Sequence, residues 1–220
     1  PILEELRDHF DGRAVPESVL RRTRAAYYAL CTELDDNLAR VLDALEETGQ
    51  REETVVIFMS DHGTMLGDHG VYRKGPYMYE PAIRVPLIVA GPGVESGVDV
   101  NALVELSDIA PTLLDIVGVD IPDRVQATSL WPILSGASDP DDHRVDVYCE
   151  HYDSMTAEDH SIPHGTMVRT DRYRLVRWHA LDDGELYDHI NVLRNGEAAA
   201  LGEATAAGDE LALFPPVSGG

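Results

Sequence analysis

The sequence predicts an α/β fold, a mixed or parallel sheet flanked by helices, followed by a small antiparallel sheet. Three observations carry this. An apolar stripe at three- and four-residue steps runs through residues 16–47. Two short runs rich in β-branched residues, 54–60 (TVVIFMS) and 85–90 (VPLIVA), precede a second helical stretch at 107–117, so that helix, strand, strand and helix follow one another. Beyond a turn-rich segment at 136–144 (GASDPDDHR) the pattern changes to short β-prone pieces.

Val19, Leu20, Tyr27, Leu30, Leu34, Leu38, Val41, Leu42 and Leu45 write the first helix. Pro16 suits its opening turn, where a missing N–H costs nothing, and Gly49 can adopt the left-handed conformation that stops it. Residues 54–60 are too short and too continuously apolar for another helix, which predicts a buried, parallel strand ending at Asp61. Pro86 cannot donate to a sheet ladder and marks 85–90 as an edge or a strand start, closed by Gly91-Pro92-Gly93. In 107–117 (SDIAPTLLDIV) Ser107 is the expected cap and Gly118 the stop. VDVYCEHY at 145–152, then GTMVRT and YRLVRW on either side of Asp171-Arg172, predict the antiparallel sheet and a hairpin within it. The expected organisation is a core part at 1–138, a small antiparallel subdomain at 139–192, and an Ala-, Gly- and Glu-rich tail at 193–220 with weak order.

With 220 residues and 44% hydrophobic content, the chain can bury one sizeable core. Forty acids against 17 bases give a formal charge of -23, which argues against nucleic acid and anionic membranes as partners. Lys74 is the only lysine; every other Lys/Arg position is arginine. Acid excess with almost no lysine predicts a halophilic source, where a Debye length of about 3 Å at 1 M salt screens self-repulsion. Cys31 and Cys149 have no CxxC spacing and apolar sequence neighbours, so buried free thiols are expected. No run of about 18 apolar residues and no signal-peptide pattern is present. A cytoplasmic location is expected, with an export signal upstream of Pro1 left open.

Residues 60–75 (SDHGTMLGDHGVYRKG) place Asp-His-Gly twice ahead of Lys74. Loops at the carboxyl ends of parallel strands present ligand groups from a rigid base. There Asp61 offers a hard anionic oxygen and His62 a neutral nitrogen, part of the first shell of a divalent cation, while Gly63 lets the backbone turn away. Two ligands alone do not complete a site, and by themselves the same residues also read as a turn cap and a polar loop residue.

Taken whole, SDHGTMLGDHGVYRKGPYMYEPAIRVPLIVAGPG (60–93) resembles the sulfatase family of the alkaline-phosphatase-like superfamily. In that family a Ser-Asp-His-Gly or Ser-Asp-Asn-Gly turn is followed by Leu-Gly-x-His-Gly and then a lysine. YYALCTELDDNLARVLDALEETG (27–49) resembles the helix before the family's metal-binding strand. VELSDIAPTLLDIVGVDIP (104–122), SLWPILSG (129–136), MVRTDRYRLVRW (167–178) and GELYD (184–188) resemble later landmarks in the right order. The resemblance covers roughly residues 18–190, the C-terminal half of such an enzyme. It implies Asp61 and His62 as metal ligands, Lys74 as the catalytic group contacting the sulfate and the leaving oxygen, and His69 beside the substrate. It further implies a divalent metal, calcium first with magnesium or manganese open, and a small-molecule or saccharide sulfate ester as substrate. The chemistry is consistent: S–O cleavage builds negative charge on the departing oxygen, which a fixed ammonium stabilises.

Other residues receive plainer expectations. Glu80 and Arg84 are expected to form an ion pair supporting the site loop, Asp108 to be a helix-start anion, and Asp35-Asp36 to lie on a solvated face. His151, His160 and His164 fall in HYDSMTAEDHSIPH (151–164), read as a substrate-facing loop ahead of a second metal site. No Gly-x-Ser-x-Gly elbow supports a serine hydrolase.

The family's nucleophile, a formylglycine made in a Cys-x-Pro-x-Arg or Ser-x-Pro-x-Arg motif, has no counterpart here: Cys31 begins CTELD and Cys149 begins CEHYD. The paired aspartates that complete the family's metal shell also precede the region covered. The expected function is therefore that of a sulfatase fragment whose activity needs a missing N-terminal half. A phosphonate monoester or phosphodiester hydrolase of the same superfamily, and a noncatalytic binding or assembly remnant, are the alternatives. Self-association through exposed apolar edges is expected.

Overall fold

The computed structural model describes residues 15–74, 77–151, 156–157, 160–161, 164–179, 186–187, 191–194, 197–199 and 211–214. The chain divides into two compact units, residues 1–98 with 134–137, and residues 99–133 with 138–220.

In the first unit the periodic stripe folds as α1 (Glu17–Glu47), which opens at Pro16 with φ -58°. It closes where Gly49 turns left-handed at φ 69° and Gln50 N–H reaches back to the Leu45 carbonyl. Leu20, Arg24, Leu38, Leu42 and Leu45 are half-buried, while Val19, Tyr27, Leu30, Leu34 and Val41 are exposed. The covered seam is thus narrower than the apolar stripe. Cys31 lies on the exposed side, which corrects the expectation of a buried thiol; the apolar sequence around it belongs to the uncovered part of the helix.

β1 (Val56–Met59) pairs antiparallel with β2 (Leu87–Ala90), in the register Val56 to Ala90 and Met59 to Leu87. The strand expected to be buried and parallel is instead antiparallel, and no residue of it is buried. A continuous apolar run indicates a strand covered on both faces, but it does not say in which direction the chain returns. Here the connection holds the 60–79 loop and one helical turn, α2 (Glu80–Ile83), with no crossover helix to carry β2 round in parallel. β2 begins just after Pro86, as the missing N–H requires.

In the second unit a single 3-10 turn over Leu106–Asp108 leads into α3 (Ile109–Ile116). The cap is not Ser107: Glu105 and Asp108 form a capping box across the turn. The extra turn moves the helix start two residues upstream of Ser107, to Glu105. Gly118, at φ 70°, ends the helix as expected. A short helix α4 (Trp131–Leu134) follows. β3 (Val147–His151), β4 (Thr156–Ala157), β5 (His160–Ser161), β6 (His164–Arg169), β7 (Arg174–His179) and β8 (Leu186–Tyr187) come next. They make an antiparallel sheet in the order β3-β6-β7-β8 and a separate β4–β5 pair. The β6–β7 hairpin is the expected one; Thr170 N–H donates to the Tyr173 carbonyl at 2.8 Å across its turn. β9 (Asn191–Arg194) lies between β10 (Glu197–Ala199) and β11 (Leu211–Phe214). The remaining residues of the expected tail, and Pro1 to Ala14, lie outside the described residues. No described helix is long and apolar enough to cross a membrane.

Candidate active site

The segment after β1 is a self-supporting loop. Asp61 Oδ1 accepts the His62 N–H at 2.9 Å, and Ser60 Oγ donates to the His62 carbonyl at 2.9 Å. Gly63 N–H donates to the Ala82 carbonyl at 2.8 Å. A Cβ at residue 63 would stand 1.9 Å from the Pro81 carbonyl oxygen, so only glycine lets the two backbones meet. Met65 N–H then bonds the Arg73 carbonyl and Gly67 N–H the Val71 carbonyl, closing a tight turn at 68–70. Leu66 and His69 both take left-handed backbone, at φ 47° and 55°. Such conformations cost roughly 1–2 kcal/mol for residues with a Cβ and persist where the surroundings over-determine them.

The surroundings here are explicit. Met65, Val71, Tyr77, Met78 and Ala82 are all buried, giving the loop an apolar base of its own. Arg24 of α1 donates to the Leu66 carbonyl at 2.9 Å and to Asp68 at 3.3 Å. The ion pair is half-exposed and worth under about 1 kcal/mol, so its value is in fixing the loop's place on the helix.

On this base Asp61, His62 and Lys74 meet. His62 Nδ1 lies 2.8 Å from the Gly63 carbonyl, which can only accept; Nδ1 therefore carries the proton and Nε2 presents its lone pair. Lys74 Nζ is 2.8 Å from that Nε2, and Asp61 Oδ2 is 3.7 Å from it. The Asp61 side chain is 85% exposed and that of His62 43%, so the cluster opens to solvent. A carboxylate oxygen and an imidazole lone pair on one open face suit a divalent cation, and a ring N–H tied to a carbonyl is how ligating histidines are usually oriented. Two such groups alone do not complete a coordination shell, and among the described residues no group of three or more His, Cys, Asp or Glu could hold a metal.

His69 stands apart from this cluster. Its exposed ring stacks on Tyr79 with centroids 4.0 Å apart and planes 11° apart, and no hydrogen bond or ion pair joins it to Asp61, His62 or Lys74. Tyr79, absent from the sequence reading, is the platform; an aromatic ten residues beyond an exposed histidine carries no signal at the level of sequence. Glu80 and Arg84 are linked through the backbone, Arg84 N–H donating to the Glu80 carbonyl at 2.9 Å. His151, His160 and His164 belong to strands β3, β5 and β6 and not to one loop, because the intervening segment pairs with itself; the side chains of His160 and His164 lie outside the described residues.

The second unit holds a charged group that sequence reading underrated. Asp108 is fully buried. Its Oδ2 accepts the Glu105 N–H at 2.9 Å and its Oδ1 the Thr128 N–H at 3.0 Å. His143 Nε2 lies 3.3 Å from Oδ2, and Arg144 Nη2 is paired with Oδ1. Arg144 Nη1 also bridges to Glu105 at 2.9 Å, and Glu105 accepts the Tyr148 N–H at 2.7 Å. Burial raises the Glu105 acid, but the Tyr148 N–H, the Ser107 hydroxyl and Arg144 outweigh it and hold the carboxyl below its usual range. A helix-start anion is thus also the anchor for the 124–130 segment and for the entry to β3. The available signal was the adjacent His143-Arg144 pair inside an acid-rich turn.

The Sulfatase family model matches residues 5–119, and the model for the C-terminal part of N-sulphoglucosamine sulphohydrolase matches residues 67–195; each covers more than half of the chain. An N-acetylglucosamine-6-O-sulfatase of Bacteroides thetaiotaomicron is 33% identical over 190 residues, which are 85% of this chain and 34% of that protein. Arylsulfatase K of Homo sapiens is 39% identical over 126 residues, 57% of this chain and 23% of that protein. Among solved structures, BT4656 in complex with its substrate D-glucosamine-2-N,6-O-disulfate superposes with a TM-score of 0.68 at 29% identity, covering 83% of this chain and 37% of that one. A phosphonate monoester hydrolase from Silicibacter pomeroyi gives a TM-score of 0.65 at 36% identity, covering 76% of this chain and 34% of that one. The chain spans about a third of the length of the N-acetylglucosamine-6-O-sulfatase and of the two solved structures. It belongs to the sulfatase family and has that family's alkaline-phosphatase-like α/β fold.

Proposed function

We propose that this chain provides the cation- and anion-binding part of a sulfate-ester hydrolase, with Asp61 and His62 holding a divalent cation and Lys74 contacting the sulfate. The observation that supports this most is the meeting of Asp61 and Lys74 at the His62 Nε2 lone pair. The cation, calcium by preference, would draw electron density from the sulfate oxygens. The chain's own residues do the rest of the work on this side of the substrate. Lys74 is a compact ammonium that offsets charge developing on the leaving oxygen. His69, flat against Tyr79 and exposed, offers a face to the alcohol part of the ester. Relatives named for sulfated amino sugars support a saccharide sulfate ester as substrate. The nucleophile belongs to a Cys-x-Pro-x-Arg or Ser-x-Pro-x-Arg segment that this sequence does not contain, so turnover needs that segment from elsewhere.

Calorimetric titration of the chain with calcium, wild type against Asp61→Ala, tests the reading. Stoichiometric binding lost in the variant is expected; equal binding by both proteins, or none by either, overturns it and leaves a noncatalytic remnant. The likeness to a phosphonate monoester hydrolase favours a second reading, in which the same residues serve a phosphorus centre. Rates on a sulfate monoester and a phosphonate monoester, measured on polypeptide that also carries the nucleophile, separate the two. The formal charge of -23 and the single lysine support a protein that works in concentrated salt. A thermal midpoint that rises from dilute buffer to about 1 M potassium chloride is expected, and a flat or falling midpoint contradicts it. The exposed apolar part of α1 supports self-association of the isolated chain, which sedimentation would show as dimer or larger.

A further inference from the structure

We propose that Lys74 is a latch on His62 that cation binding must release, so that the cation and the substrate anion bind cooperatively. The inference rests on the reading of Asp61 and His62 as cation ligands. Its physical basis is that two partners need one lone pair. With Nδ1–H committed to the Gly63 carbonyl, His62 has a single lone pair to offer, on Nε2. An ammonium has donors and no acceptor, so the 2.8 Å contact is Lys74 Nζ donating to that lone pair. A cation ligated through Nε2 takes the same electrons and repels the ammonium as well. Both cannot stay.

Geometry decides which one yields. The His62 backbone is tethered on both sides, by its N–H to Asp61 and by Gly63 to Ala82, and its ring is tied to the Gly63 carbonyl. Lys74 is exposed and sits at the end of a flexible four-carbon stem. The lysine therefore swings, and its ammonium is delivered, unpaired, beside the cation where a sulfate oxygen can take it. Cation binding thus prepares the anion site. By linkage, the anion strengthens cation binding by the same factor.

Calcium titrations of the 220-residue chain, run with and without inorganic sulfate on wild type, Lys74→Met and Asp61→Ala, test this. Lys74→Met is expected to bind calcium about tenfold more tightly than wild type, the order expected for removing one charge-assisted hydrogen bond. Sulfate is expected to tighten calcium binding several-fold in wild type and to have no effect in Lys74→Met. If wild type binds and Asp61→Ala does not, but Lys74→Met is no tighter than wild type, the latch is refuted and the cation pair stands. If wild type binds no better than Asp61→Ala, the cation pair fails and the latch with it. Long-range proton–nitrogen spectra give an independent check. His62 should carry its proton on Nδ1 in wild type and in Lys74→Met; a proton on Nε2 leaves no lone pair for Lys74 and overturns the proposal.

Discussion

Replacing Asp108 by alanine removes the buried centre of a charged cluster in the second unit. The carboxylate is fully buried and receives the Glu105 and Thr128 N–H groups, Arg144 and His143. Its removal leaves a largely buried guanidinium without one of its two carboxylates and two backbone donors without acceptors. Breaking a buried pair by deleting one partner costs about 3–5 kcal/mol, and orphaned donors about 1–3 kcal/mol each where water cannot reach them. These terms overlap, because Glu105 still holds Arg144, so about 4 kcal/mol is expected in all. With a urea dependence of about 2 kcal/mol per molar, the unfolding midpoint falls by about 2 M. Both tryptophans, Trp131 and Trp178, belong to the second unit, so tryptophan fluorescence reads this unit alone. A midpoint shift under about 0.5 M would refute the reasoning, since a solvated helix-start anion is worth under about 1 kcal/mol. Asp108→Leu combined with Arg144→Met removes both charges and should recover part of the loss.

Gly63→Ala should destabilise the site loop by about 1–3 kcal/mol, because the new Cβ meets the Pro81 carbonyl oxygen at 1.9 Å; a thermal midpoint equal to wild type contradicts this. Glu105 titrates below its usual value of 4.5 in the folded chain, so its contribution to stability is present above pH 4.5 and is lost as pH falls through the lower folded value. Glu105→Gln should therefore flatten part of the acid limb of a stability–pH curve, and an unchanged limb argues against it. Burial first, then Glu105 and Glu150, push the Cys149 thiol up, whereas Cys31 is exposed. A disulfide reagent should modify Cys31 quickly and the half-buried Cys149 slowly, and Cys31→Ser should leave only the slow phase; a single fast phase for both thiols contradicts this.

What the sequence made legible follows the range of the interactions involved. α1 could be read because its period repeats over 31 residues, and the β6–β7 hairpin because its turn is local. The direction in which β1 and β2 pair could not, since it depends on how the chain returns after 27 intervening residues and not on the strands themselves. The exposure of Cys31 was missed for a related reason: an apolar stripe shows which residues can be covered, not which are. Asp61, His62 and Lys74 were picked out by spacing and family likeness, but their meeting at one ring nitrogen depends on the close pass of Gly63 and Pro81, a tertiary contact. Asp108 was read as a local helix-start charge because its other partners, Thr128 and Arg144, stand 20 and 36 residues away.

The most direct test of the central claim is anomalous diffraction from crystals of the chain soaked with manganese and sulfate. The account predicts a manganese peak about 2.0–2.4 Å from an Asp61 carboxylate oxygen and from His62 Nε2, with a sulfate oxygen on Lys74 Nζ. A well-occupied manganese elsewhere in the molecule, with Asp61 and His62 bare and Lys74 still bonded to Nε2, would contradict it.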